Sequence, residues 1–134
     1  MVDDNTIKVL LVEDDKTNRL LYSEYLIQNG FHVVSAQDGE VALKKFEESH
    51  FDIVLLDLML PKIDGLKVLE TIKTNPLKKH VKVYLLTVIG TENMIQKAFE
   101  LGADGYLIKE SLTPEDIKNE ILQALSPLNN KPKA

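Results

Sequence analysis

The chain alternates short apolar runs with longer stretches in which apolar residues recur every three or four positions. The runs, each bounded by turn residues, predict strands at residues 7–12, 31–36, 53–57, 81–87 and 105–109. The stretches that follow them predict helices at residues 16–29, 38–50, 65–75, 91–101 and 113–125. Asn29-Gly30 marks the end of the first helix, and Thr113-Pro114 marks the start of the last.

Strict alternation of strand and helix is typical of an α/β fold with a parallel sheet. Right-handed crossovers then place helices on both faces of that sheet. The third and fourth predicted strands are almost wholly apolar, as strands covered on both faces should be. One sequence does not fix the strand order, but five such units fit a doubly wound, flavodoxin-like order 2-1-3-4-5. We expect one domain over residues 1–125, and a flexible tail or the start of a linker over residues 126–134.

Composition narrows the class of protein without identifying a site. The 134 residues are 44% hydrophobic and 28% charged, as in a globular domain. The net charge of −5, with no basic stripe, argues against direct nucleic-acid binding. Because there is no cysteine, disulfides, thiol catalysis and thiolate metal sites are excluded. The apolar runs are too short to cross a bilayer and the first five residues are unlike a secretory signal, so we expect a cytoplasmic protein without membrane contact.

Polar residues follow the predicted strands at the ends where ligands bind in open α/β sheets. They are Glu13, Asp14 and Asp15 after the first strand, Asp57 at the end of the third, Thr87 at the end of the fourth and Lys109 at the end of the fifth. In the order 2-1-3-4-5 these strand ends are close together, so the side chains would converge on one pocket. Asp15 precedes a predicted helix and is better explained as its N-cap.

Three carboxylates in one pocket repel one another and raise at least one pKa unless a cation is present. Glu13, Asp14 and Asp57, together with a backbone carbonyl and waters, suit octahedral Mg²⁺. Asp57 can also act as a nucleophile toward phosphorus and form an acyl phosphate. The Lys109 ammonium and the Thr87 hydroxyl could then contact the phosphoryl oxygens. Taken singly, each residue has an ordinary structural explanation, but the combination predicts a phosphate-accepting site.

Four segments together resemble the receiver domain of bacterial two-component response regulators, the family that includes the chemotaxis response regulator. The segments are residues 9–15, 57–65, 86–87 and 102–109. Each motif is weak alone and specific as part of the set, and the resemblance extends from residue 7 to about residue 125.

The resemblance implies a phosphoprotein of a phosphorelay rather than an enzyme. Asp57 would take a phosphoryl group from phosphohistidine on a sensor histidine kinase or a phosphotransfer protein. Glu13, Asp14, Asp57 and the backbone carbonyl of Met59 would surround Mg²⁺. Thr87 would move toward the phosphoryl group while Tyr106 changes rotamer, and the face of the fourth helix, fifth strand and fifth helix would change its surface. A local charge would thus select between two packings of the domain.

Two residues depart from the family's usual pattern. Glu110 follows Lys109, where family members usually have proline with a cis peptide bond. Because a cis bond without proline costs about 3 kcal/mol, we expect a trans bond and an altered loop at residues 109–111. Val88 follows Thr87, where the family usually has a small residue. We expect this branched side chain to slow phosphorylation by small donors.

Three other functions are compatible with parts of this pattern. A hydrolase with an aspartyl nucleophile would need a general acid two residues after Asp57, where Met59 stands. A flavodoxin would need a phosphate-binding loop rich in Ser, Thr and Gly after the first strand, where this chain has acids. A degenerate receiver that only docks other proteins stays open because of Val88 and Glu110. The sequence does not identify the kinase, the stimulus, an output partner or effector domain, or whether a homodimer forms.

Overall fold

The computed structural model describes residues 6–78 and 80–126, which form a five-stranded sheet and five α-helices. The strands are β1 (Lys8–Val12), β2 (His32–Ala36), β3 (Ile53–Asp57), β4 (Lys82–Thr87) and β5 (Gly105–Ile108). The helices are α1 (Lys16–Gln28), α2 (Gly39–Glu48), α3 (Gly65–Lys73), α4 (Glu92–Glu100) and α5 (Pro114–Ala124). None of the helices in these residues is long and apolar enough to span a membrane. Apart from Ser126, the predicted tail lies outside the described residues.

Neighbouring strands are all parallel, in the order β2-β1-β3-β4-β5. The predicted α/β class and flavodoxin-like order are therefore confirmed. Helices α2, α3 and α4 cover one face of the sheet, and α1 and α5 cover the other. The register pairs Asp57 with Leu86 and Thr87 with Ile108, so the carboxyl ends of three strands lie almost level.

The central strand β3 is covered by helices on both faces of the sheet. All five of its residues are buried. Val54 and Leu56 pack toward α2, α3 and α4, whereas Ile53 and Leu55 pack toward α1 and α5. A strand covered on both faces cannot alternate apolar and polar residues, because either face would then bury polar groups without partners.

The strand β5 ends one residue before the predicted boundary. Lys109 was expected to end the strand, but it begins a short 3-10 helix, Lys109–Ser111, which is closed by a hydrogen bond from the Leu112 N–H to the Lys109 carbonyl (3.2 Å). No cis peptide bond occurs in the described residues, so the expected trans bond before Glu110 is confirmed. The turn moves Lys109 out of the strand ladder and directs the chain toward α5.

The loop from β3 to α3 is fixed at several points. A Cβ atom on Gly65 would lie 2.6 Å from the Leu58 carbonyl oxygen, so only glycine allows α3 to begin this close to the end of β3. Lys62 adopts a left-handed conformation (φ 67°), and its ammonium lies 3.4 Å from the buried carboxylate of Asp38. Asp64 caps α3 by accepting a hydrogen bond from the Leu66 N–H (2.9 Å).

Candidate functional site

Three acidic side chains converge at the carboxyl ends of β1 and β3. Glu13 follows β1 and is fully buried, Asp57 ends β3 and is 3% exposed, and Asp14 is exposed. One carboxylate oxygen from each lies within 4.8 Å of the others. The structure thus brings together the three acids that the sequence placed in one pocket. Their all-oxygen donor set is the kind that a hard divalent cation prefers.

Lys109 bridges two of these acids from the end of β5. Its Nζ atom lies 2.7 Å from Asp57 Oδ2 and 2.8 Å from Glu13 Oε1. Burial lowers the pKa of Lys109, but the contacts with Asp57 and Glu13 raise it more, so the net shift is upward and the ammonium stays charged. The other oxygen of Asp57, Oδ1, accepts a hydrogen bond from the Met59 N–H (2.9 Å). The Asp57 carboxylate is therefore held between a cation and a backbone donor.

The surroundings of Glu13 disfavour its charged form. Burial is the largest cause that raises its pKa to about 7, the negative charge of Asp57 adds to the rise, and Lys109 opposes it. Oε2 accepts a hydrogen bond from the Asp15 N–H (3.1 Å). Oε1 lies 2.8 Å from the Lys109 ammonium and is paired with its charge. Three carboxylates beside a single ammonium leave an excess of negative charge, which fits a site that accommodates further positive charge.

The contacts shown for the side chains of Thr87 and Tyr106 are with β5 and α4 rather than with the acids. The buried Thr87 hydroxyl donates to the Leu107 carbonyl of β5 (3.3 Å). Tyr106 is 46% exposed, and its ring packs edge-on against Phe99 of α4, with 6.2 Å between the ring centroids. The predicted movement of these two side chains is therefore not tested by one arrangement, and it stays a prediction.

Asp15 acts as the N-cap of α1, as predicted, because its side chain accepts a hydrogen bond from the Asn18 N–H (2.9 Å). Arg19 was missed by the sequence reasoning. Its guanidinium donates to the carbonyls of Glu13 (2.8 Å) and Asp14 (3.2 Å) and so braces the acidic loop. The available signal was an arginine one turn into the helix that follows the acids, where it can fold back over the loop.

A second missed contact joins the two loops beside the site. The Ile89 N–H donates to Glu110 Oε2 (2.9 Å), although the two residues are 21 positions apart. In the sequence, Glu110 stands out only because it replaces the proline that is usual in the family. No local pattern indicates that its carboxylate reaches the segment between β4 and α4.

Comparison with known proteins gives one consistent family. Residues 9–122 match the family model described as the response regulator receiver domain. The probable chemotaxis protein CheY of Rhizobium etli is 41% identical over 104 residues, which cover 77% of this chain and 81% of that protein.

A transcriptional regulator and a solved structure extend the comparison. The transcriptional regulatory protein ResD of Bacillus subtilis is 35% identical over 105 residues; these cover 78% of this chain, but the match spans only 42% of the regulator's length. The chemotaxis response regulator CheY4 of Vibrio cholerae is 27% identical, with a TM-score of 0.84 over 90% of this chain and all of that one.

Proposed function

The chain belongs to the response regulator receiver domain family, and on that premise we propose that Asp57 accepts a phosphoryl group from phosphohistidine. The donor would be a sensor histidine kinase or a phosphotransfer protein in the cytoplasm. One observation carries the proposal: the buried Asp57 carboxylate lies between the Lys109 ammonium and the Met59 N–H, beside Glu13 and Asp14. An aspartyl hydrolase would need a general acid at position 59, two residues after Asp57, and this chain has Met59 there.

The transfer forms one bond to phosphorus and breaks another. An oxygen lone pair of Asp57 forms the O–P bond of an acyl phosphate, while the P–N bond of phosphohistidine breaks and its electron pair leaves with the imidazole nitrogen. The phosphoryl group carries roughly two negative charges in place of the single charge of the Asp57 carboxylate, a net gain of about one. Lys109, already 2.7 Å from Asp57 Oδ2, can stay paired with that charge. The Thr87 hydroxyl can donate to a phosphoryl oxygen once it leaves the Leu107 carbonyl.

The acids around Asp57 fit a bound Mg²⁺. Glu13, Asp14, Asp57 and the Met59 carbonyl would hold it, and the fit rests on the convergence of three carboxylates beside only one ammonium. When bound, the ion supplies positive charge to the phosphoryl oxygens. Arg19 contributes by fixing the backbone of Glu13 and Asp14, which orients their side chains without contacting the phosphoryl group.

The consequence of phosphorylation would be read on the face formed by α4, β5 and α5. Tyr106 and Phe99 are both partly exposed there and pack edge to face. Removing Thr87 from the Leu107 carbonyl would open space beside β5, so that Tyr106 can change rotamer. An output partner, an effector domain or a second copy of the chain would then bind one of the two arrangements better than the other.

Phosphorylation by a small acyl phosphate in the presence of Mg²⁺ tests this proposal. We expect mass spectrometry of the wild-type protein to record the addition of one phosphoryl group that is labile in base, and we expect this addition to be lost without Mg²⁺. Asp57→Asn should abolish it. Asp64→Asn is the matched control, because it makes the same chemical change at an exposed N-cap where asparagine also caps well.

Two outcomes would reject the proposal. Equal modification of the Asp57→Asn variant and the wild type would place the acceptor elsewhere. A folded wild type that neither a small donor nor a phosphohistidine protein modifies would favour a receiver that only docks other proteins.

A further inference from the structure

Three hydrogen bonds hold the segment between β4 and α4, residues 88–91, which we call the 88–91 loop. Before the loop, the Thr87 hydroxyl donates to the Leu107 carbonyl (3.3 Å). Within it, the Ile89 N–H donates to Glu110 Oε2 (2.9 Å). At its end, the Thr91 hydroxyl donates to the Val88 carbonyl (2.7 Å). Two of the three bonds therefore tie the segment around Thr87 to β5 and to the turn that follows β5.

The bond to Glu110 depends on a side chain that proline could not supply. Glu110 lies in the 3-10 helix Lys109–Ser111, which directly follows β5 and is closed by the Leu112 N–H. Its carboxylate is therefore presented from a short, hydrogen-bonded turn rather than from an open loop. Hydrogen bonds that a carboxylate accepts are roughly twice as strong as those between neutral groups.

We propose that Glu110 is a positioning residue that latches the 88–91 loop in the arrangement in which Thr87 faces β5. Thr87 and Ile89 are two residues apart in one segment, so a backbone shift that carries the Thr87 hydroxyl toward Asp57 would also move the Ile89 N–H away from Glu110. Thr87 therefore reaches a phosphoryl group on Asp57 only when the loop releases Glu110. This inference rests on the proposed function of Asp57, and it adds a control of the phosphorylation rate by Glu110.

The latch makes a directional prediction. Removing the latch favours the arrangement in which Thr87 can contact the phosphoryl group. The Glu110→Ala variant should therefore be phosphorylated about two- to tenfold faster by a small acyl phosphate, which is the range expected for the loss of one net hydrogen bond. Glu110→Gln keeps an acceptor oxygen and should lie between the Ala variant and the wild type. Glu110→Asp keeps the charge but is one methylene shorter, so it should resemble Glu110→Ala. Glu115→Gln, which neutralises an exposed acid in the first turn of α5, should match the wild type.

Amide hydrogen exchange at Ile89 tests the latch in unphosphorylated protein, independently of Asp57 chemistry. We expect the Ile89 amide to exchange about threefold or more faster in Glu110→Ala than in the wild type, because a local opening no longer has to break the bond. The amide of Val83, which donates to Asp104 at the opposite end of β4, should be unaffected and reports on overall folding.

The two experiments separate the possible failures. Unchanged Ile89 exchange in Glu110→Ala would overturn the latch, and so would faster exchange with an unchanged phosphorylation rate. If Glu110→Asp matched the wild type while Glu110→Gln matched Glu110→Ala, charge rather than reach would be responsible, and the latch would also be rejected. A wild-type protein that is not phosphorylated at all would reject the proposed function and, with it, the effect of the latch on phosphorylation. Amide exchange at Ile89 would still report whether the hydrogen bond to Glu110 forms.

Discussion

Helices α3 and α4 are each nine residues long and pack on the same face of the sheet, yet they are anchored very differently. Among their residues, all of which the structure describes, four are buried in α3 and only Ala98 is buried in α4. Asp64 caps α3 by accepting a backbone hydrogen bond, whereas the Thr91 side chain accepts none at the start of α4. The Thr91 hydroxyl donates back to the Val88 carbonyl instead.

This difference matters because the two helices continue from different parts of the site. The chain leaves Asp57 for α3 and leaves Thr87 for α4. The phosphate acceptor of our proposal is thus joined to the well-anchored helix, and the responding hydroxyl to the weakly anchored one. Elements with little buried apolar surface open and shift at low free energy, which suits a part that must move while the acceptor stays in place.

The largest expected effect is on the free energy of unfolding, when one apolar side chain is shortened in α3 and one in α4. Leu69→Ala in α3 removes a fully buried side chain and should lower the free energy of unfolding by about 3 kcal/mol. Phe99→Ala in α4 removes a ring that is 42% exposed and should cost less than about 1 kcal/mol. Urea denaturation of the two variants measures both values. Similar losses would show that α4 is as firmly anchored as α3.

The helix caps give a smaller contrast. Asp64→Ala removes the hydrogen bond to the Leu66 N–H and should destabilise the protein by about 1 kcal/mol. Thr91→Ala removes no bond to the helix and should cost less than about 0.5 kcal/mol in the same urea assay. A loss at Thr91 as large as the loss at Asp64 would contradict the assignment of α4 as uncapped.

A pH series extends the contrast to α5, which begins with a reciprocal cap between Thr113 and Asp116. The Thr113 N–H, followed by the Thr113 side chain, lowers the pKa of Asp116 below its usual 3.8. Because the folded-state pKa is the lower one, this carboxylate stabilises the fold above the unfolded pKa, and the contribution is lost as pH falls through the folded pKa.

Asp116→Asn should therefore be less stable than the wild type at about pH 6 and nearly equal to it at about pH 2. Asparagine keeps an acceptor oxygen, so the loss should be smaller than that of Asp64→Ala. Thermal unfolding of both proteins across this range provides the measurement. A difference that persists unchanged to the acid end would mean that the charge of Asp116 does not contribute.

The smallest expected effect is on the phosphorylation rate, when Val88, the first residue of the 88–91 loop, is shortened. Val88 is 37% exposed, and its branched side chain is expected to crowd the approach of a donor. Val88→Ala should raise the phosphorylation rate with a small acyl phosphate by about two- to threefold, which corresponds to less than about 1 kcal/mol. Leu77→Ala, which shortens an exposed apolar side chain far from the site, serves as the control. An unchanged rate in Val88→Ala would remove steric crowding as an explanation.

The fold was predictable because its signals are local. The apolar run of β3 matched the structure to the residue, and Asp15 and Thr113 cap helices where their sequence context indicated. The end of β5 was misplaced by one residue, because strand propensity does not register that Lys109 closes a turn with Leu112. Boundaries depend on such single hydrogen bonds, whereas element type depends on many residues.

The candidate site was predictable only in part. Parallel strand ends must meet, so the meeting of Glu13, Asp57 and Lys109 followed from the fold. The contacts of Glu110 with Ile89 and of Lys62 with Asp38 did not follow, because they depend on the path of a loop and on one side-chain rotamer. The roles of the site residues in phosphoryl transfer remain predictions.

The connection from β3 to α3 also bears on how the chain can be engineered. Surface loops usually accept insertions, but this one is constrained by the close approach of Gly65 to Leu58 and by the left-handed Lys62. An inserted residue would shift Asp57 relative to α3, so a reporter peptide placed here should disrupt both the fold and the site. The turn that follows Lys73 is a better host, since Leu77 is 85% exposed and the site lies at the opposite end of the strands.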